Sequence, residues 1–118
     1  AATFKVVDLS TGTIYAPTFS GSMAGNLRRG FTQWRWVASL GVLAGWDNDT
    51  DTNTVTFLAP GADPRTDTWT ISTQAFTGDT VSARAGNGTF GRWCYFPILR
   101  GFFVVNSVSE PCFFFGIP

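Results

Sequence analysis

Seven consecutive residues carry the donors of a hard-cation site. Asp47-Asn48-Asp49-Thr50-Asp51-Thr52-Asn53 sets an oxygen ligand at every second position. Calcium takes roughly six to eight such oxygens, so Asp47, Asp49 and Asp51 are the candidate metal ligands. Thr52 stands at the sixth position and Leu58 at the twelfth, where a helix-flanked calcium loop needs glycine and glutamate. The same residues are also turn formers, and with glycine and glutamate missing from those positions the pattern favours a solvated hairpin loop.

Trp34-Arg35-Trp36 offers a different chemistry. On a strand the two indoles share one face, about 7 Å apart. Exposed, they would make a platform for sugar rings. Ala38 and Leu40 continue on the same face of a strand read over 31–40, which favours core. Trp46 carries the same two readings, so Trp34, Trp36 and Trp46 are the candidate ligand-binding residues.

Other chemistries are thinly supplied. The chain has no histidine and one glutamate, Glu110. That removes imidazole-based nucleophilic catalysis and imidazole metal sites. Paired aspartates are what remains for acid–base work, and the chain is expected not to be an enzyme. Cys94 and Cys112 are too few for a disulfide scaffold or a zinc cluster. They read as a single disulfide or as two buried thiols behaving as small apolar groups. Asp63-Pro64-Arg65 with Asp67 reads as a turn with a local ion pair. Thr-x-Thr pairs recur without a fixed repeat length, as on a solvent-facing β surface.

The elements that position these residues read as strands throughout. Apolar residues make up 44% of the 118 positions and charged residues only 14%, so the chain can bury a core and leaves little charged surface. Net charge is zero, and Arg28, Arg29 and Arg35 are a thin basic patch. No nucleic-acid partner is expected. The opening Ala-Ala-Thr-Phe-Lys shows no signal-peptide pattern, and no stretch is long and charge-free enough to span a bilayer. No membrane partner and no cofactor beyond calcium are expected.

Residues 54–59, 68–75 and 80–85 alternate apolar and hydroxyl-bearing side chains, the pattern of antiparallel strands over a core on one side. The segments 3–9 and 13–19 read as a hairpin, and 41–46 as a continuation of 31–40 past a kink. From Thr89 the pattern changes: 89–99 and 102–105 are apolar on both faces. The chain finishes Cys112-Phe-Phe-Phe-Gly-Ile-Pro118.

The expected fold is a single all-β domain over 1–118. It is a two-sheet antiparallel sandwich of jelly-roll or Greek-key type, with a small closed barrel as the alternative. One face of the two-faced strands belongs to the core, and the other requires a second cover. Phe102, Phe103, Phe113, Phe114, Phe115 and Ile117 are therefore the candidate subunit-interface residues. A short, histidine-free, Thr/Gly/Phe-rich β-domain with an apolar tail is similar in style to small virion surface proteins such as capsid decoration proteins. The resemblance implies a homo-oligomer such as a trimer, bound to a larger lattice such as a viral capsid, on a virion or extracellular surface. The competing expectation is a carbohydrate-binding module or lectin, built on the tryptophans and the calcium loop.

Overall fold

Glycines and turn-forming residues separate ten short strands among the described residues. The computed structural model describes residues 4–22, 33–46, 52–84, 86, 89 and 91–118. The strands are β1 (Val6–Val7), β2 (Ile14–Tyr15), β3 (Phe19–Ser20), β4 (Gln33–Val37), β5 (Val42–Trp46), β6 (Thr54–Ala59), β7 (Trp69–Ala75), β8 (Trp93–Phe96), β9 (Gly101–Val104) and β10 (Phe113–Gly116). The fold is all-β, with no helix among the described residues.

Among the described residues three sheets form where two were expected: the hairpin β1-β2, a five-stranded sheet in the order β3-β7-β6-β5-β4, and a three-stranded sheet in the order β10-β9-β8. No barrel closes among the described strands. β4 to β7 run as an antiparallel meander. β3 lies at the opposite edge from β4, beside β7, and that pair is parallel, so the larger sheet is not purely antiparallel.

Two expected elements change. Residues 41–46 do not prolong the preceding strand. Gly41, at φ +63°, adopts the left-handed conformation that glycine takes without steric cost, and its N–H donates to Val37 O at 2.9 Å. β5 then returns against β4. Ala38 and Leu40 therefore leave the strand, and the continuity that favoured a buried Trp34-Trp36 face goes with them. Residues 80–84 alternate but form no strand. The Asn53 side chain claims this segment instead: its Oδ1 accepts from Val81 N at 3.0 Å and its Nδ2 donates to Asp79 O at 3.2 Å. Val81 is still buried.

The alternating strands do not cover one core. Val55 and Phe57 of β6 face the three-stranded sheet, in a cluster with Ala44, Trp46, Trp93, Phe102, Val104 and Phe115. Leu58 of the same strand lies opposite Ile71 of β7, on the other side of the sheet. There it joins Trp69, and Phe4, Val6, Phe19 and Trp34 pack against that cluster. The five-stranded sheet is thus apolar on both faces, with the three-stranded sheet on one side and the N-terminal hairpin on the other.

One ion-pair set ties the hairpin to this sheet. Arg65 donates from Nε to Asp63 Oδ1 at 2.9 Å and from Nη2 to Asp63 Oδ2 at 3.0 Å, while Nη1 reaches Asp8 Oδ2 at 3.1 Å. The expected local pair, Asp63 with Arg65, is present, and Arg65 also reaches Asp8 across 57 residues of sequence. Bonds from Arg65 hold the Asp63 carboxyl down at about 2, and bonds from Ser10, then Arg65, lower that of Asp8. Both groups bind fewer protons folded than unfolded. Their stabilisation is present above about pH 4 and is lost as pH falls toward 2. In Arg65→Gln, an NMR titration should show the Asp63 midpoint moving up toward the ordinary carboxylate range. The Asp8 amide, which donates to Thr13 O across the hairpin at 2.9 Å, should exchange faster. An unmoved midpoint would show that Arg65 is not what holds it.

Candidate functional site

The three-stranded sheet exists because its strands are apolar on both faces, and alternation divides their side chains cleanly. In β9, Phe102 and Val104 are fully buried against the five-stranded sheet, while Phe103 is partly exposed on the far side. Register carries this split across the sheet. Phe102 pairs with Phe115 and Tyr95, and Phe103 pairs with Phe114 and Cys94.

The inner face centres on Trp93. Its ring stacks on Phe102 with centroids 4.5 Å apart and planes 4° apart, and on Trp46 at 6.3 Å. Phe115 meets it edge-on at 5.5 Å. Both buried indoles satisfy their N–H groups: Trp93 Nε1 donates to Ala44 O at 3.3 Å and Trp46 Nε1 to Thr52 O at 2.8 Å. Arg35 Nε donates to Trp93 O at 3.1 Å, joining β4 to β8.

The outer face is a row of phenylalanines. Phe96 lies 4.9 Å from Phe103, and Phe103 4.8 Å from Phe114. Gly101 makes room for this row, since a Cβ there would sit 2.3 Å from the Phe114 ring. Phe96 and Phe114 remain nearly half exposed, Leu99 and Val105 comparably so, and Ile98 and Val108 are essentially in solvent. A depression of about 660 Å³ opens on this face, lined chiefly by Cys94, Phe96, Leu99, Phe103, Val105 and Val108. Arg92 and Cys112 also border it. Both cysteines are free thiols, as the second reading expected, but Cys94 is half-buried and Cys112 exposed rather than both buried.

The six candidate interface residues therefore separate. Phe102, Phe115 and Ile117 are buried in the chain's own core and offer nothing to a second subunit. Phe113 packs against that core. Phe103 and Phe114 face outward. Sequence reasoning missed Phe96, Leu99 and Val108, although their signal was present: apolar residues in and beside the turns that join β8 to β9 and β9 to β10.

The tryptophans separate as well. Trp46 is fully buried and presents no ring to a ligand. Trp34 lies over Gly45, where a Cβ would come within 2.6 Å of its ring, and Phe4 covers it edge-on at 5.4 Å. Only Trp36 of the three keeps half its surface, 51%, beside a smaller depression shared with Tyr95, Pro97 and Arg100. A stacked two-indole platform is not assembled.

Asp47, Asp49 and Asp51 lie outside the described residues. Asn53, the last member of that ladder, commits its side chain to residues 76–81. Among the described residues no three His, Cys, Asp or Glu side chains converge as metal ligands, and no helix is long and apolar enough to cross a membrane. Asp8 and Asp63 do converge, on Arg65. Their lowered pKa values run opposite to what a carboxylic proton donor requires. No family model, curated protein or solved structure matches the chain.

The two faces make a direct energetic prediction. Phe102→Ala should cost about 3–5 kcal/mol in urea unfolding, as for a fully buried ring. Phe96→Ala should cost about 1 kcal/mol or less, because much of that ring is already in water. Equal costs would mean that the outer row is as buried as the inner one.

Proposed function

We propose that this chain is a non-enzymatic structural protein that assembles with copies of itself through the outer face of β8-β9-β10. The observation that carries the reading is the uncovered phenylalanine row around the 660 Å³ depression. Six apolar side chains, Phe96, Leu99, Phe103, Val105, Val108 and Phe114, each exposing on the order of 100 Å², bring this face to the top of the range for a monomer, about 300–600 Å². A stable interface takes about 800 Å² from each partner, somewhat over half of it apolar. The outer face is of that size.

The composition supports the same reading. A chain without histidine and with a single glutamate is poorly equipped for proton transfer at neutral pH, whereas low charge and many aromatic residues suit buried contacts. We read the five- and three-stranded sheets over their shared core as a sandwich, with the return of β3 beside β7 as its Greek-key-like element. On this reading the assembled protein belongs to a larger protein lattice such as a viral shell, at a virion or other extracellular surface.

Sedimentation velocity of the full chain tests the first step. The parent should run as a multiple of 12.8 kDa. The double variant Leu99→Lys with Val108→Lys should run as a single chain and melt like the parent, since both side chains stand mostly in solvent. A parent that remains a single chain at high concentration would overturn the proposal.

A further inference from the structure

The three-stranded sheet ends in a strand with an unpaired edge. Among the described residues β10 pairs with β9 alone. Ile117 N–H donates to Arg100 O across that pair at 2.8 Å. Backbone groups alternate sides along an antiparallel strand, so Phe113, Phe115 and Ile117 turn theirs toward β9. Val105 N–H donates to Arg92 O on the other side of β9 at 3.2 Å, which fixes the same phase independently. The N–H and C=O groups of Phe114 and Gly116 therefore point away from the sheet. Among the described residues no hydrogen bond reaches them from that side. Gly116 is exposed, and without a side chain its exposed surface is backbone.

A depression of about 250 Å³ lies along this edge, with β10 as one wall and Phe76, Thr77, Asp79 and Val81 in the other. The far wall leads into the alternating segment that forms no strand. Asn53 holds it in place through Val81 N, Asp79 O and Phe76 O. Strand-like backbone thus stands on both sides of a gap that neither side closes. Asp79 is the one charged residue among those that line the gap.

An open edge presents a donor and an acceptor at every second residue, about 7 Å apart. Another extended backbone meets that spacing. Natural edges are commonly guarded by lysine, proline or a bulge, yet β10 reads Phe113-Phe114-Phe115-Gly116, with no charge and no proline. We infer that this edge takes up an extended segment of another polypeptide as an added strand, with a basic side chain of that segment directed at Asp79. The β10 of a second copy carries no such charge, so it is not the complement. On its outer side the added strand lies beside the Phe114 ring, where an apolar residue fits. The inference goes beyond the assembly reading and does not depend on it, since it uses the backbone edge and not the phenylalanine row.

The test uses a capped peptide, acetyl-Val-Lys-Phe-Lys-Val-amide, which alternates apolar and basic side chains. Added to the isotopically labelled full chain, it should slow solvent exchange of the Phe114 and Gly116 amides by NMR. The same peptide with glutamate in place of both lysines should bind at least about tenfold more weakly. Asp79→Asn should shrink that ratio. Gly116→Pro removes one outward N–H and should weaken binding at least about tenfold. Gly116→Ala keeps the N–H, and its Cβ would meet the Phe114 ring at an ordinary 3.5 Å, so it should bind like the parent. If Gly116→Pro does not fold, the exchange of the two amides in the parent decides alone.

No binding of the lysine peptide at millimolar concentration would overturn the inference. Binding that leaves the Phe114 and Gly116 amides exchanging freely would overturn it too, because the peptide would then lie on the phenylalanine row. Equal binding of the lysine and glutamate peptides would remove Asp79 from the site and with it the basic partner. Each of these results leaves the assembly reading standing, which the mass of the parent in solution tests separately.

Discussion

The stack of Trp46, Trp93 and Phe102 is the constraint on which the rest of the molecule depends. Trp46 ends β5, Trp93 opens β8 and Phe102 lies in β9, so the stack joins the five-stranded sheet to the three-stranded one. A buried indole brings a polar N–H with it, and an unmet N–H in such a core would cost about as much as a lost hydrogen bond. Trp93 answers by donating to Ala44 O and Trp46 by donating to Thr52 O. Those bonds hold the two indoles in orientation. The β10 strand then closes over the stack with Phe115. The apolar tail is a core element on one side and an exterior on the other.

Fixing that stack on one face of the five-stranded sheet pushes the remaining apolar residues to the other. β6 places Val55 and Phe57 against the stack, and Leu58 must then face away. β7 pairs with β6 in a register that sets Ile71 opposite Leu58 and Ser72 opposite Phe57. The tryptophan and isoleucine of β7 are thereby committed to the second cluster. That cluster is too small to close itself, and Phe4 and Phe19 complete it edge-on against Trp34 and Trp69. The N-terminal hairpin is carried onto this side as part of the cover, and its own outer face is left in water.

Much of this was legible along the chain, and the failures have physical causes. The strands at 54–59 and 69–75 were plain from their period of two, because alternation depends only on local geometry. Which face each strand turns inward was not legible, since that depends on the register between β6 and β7. The change near Thr89 correctly marked strands apolar on both faces. It could not sort Phe102 and Phe115 from Phe103 and Phe114, because consecutive phenylalanines carry no alternation to read. Residues 80–84 had the alternation of a strand without its pairing: Asn53 meets the backbone of that segment with side-chain bonds, and side-chain claims of this kind leave no trace in hydropathy. The half-exposed Trp36 was obscured by the turn at Gly41, which removed the strand that seemed to continue its face.

The same geometry explains why exteriors rather than a cleft carry the functional argument. A chain of 118 residues spread over three layers has a high ratio of surface to volume, and a small domain buries a smaller share of its surface than a large one. Here the middle layer spends its apolar residues on both sides, so each outer layer needs them on its inner face as well. Phenylalanines on the outside of β9 and β10 add nothing to that inner core. Charged or hydroxyl side chains would serve a solvent-facing sheet better and would discourage unwanted pairing along its edges. The chain instead places Phe96, Phe103 and Phe114 in contact there, with Gly101 making room for one of the rings. Such an arrangement lowers the free energy of the folded chain little while it faces water, and far more once a second surface removes it from water.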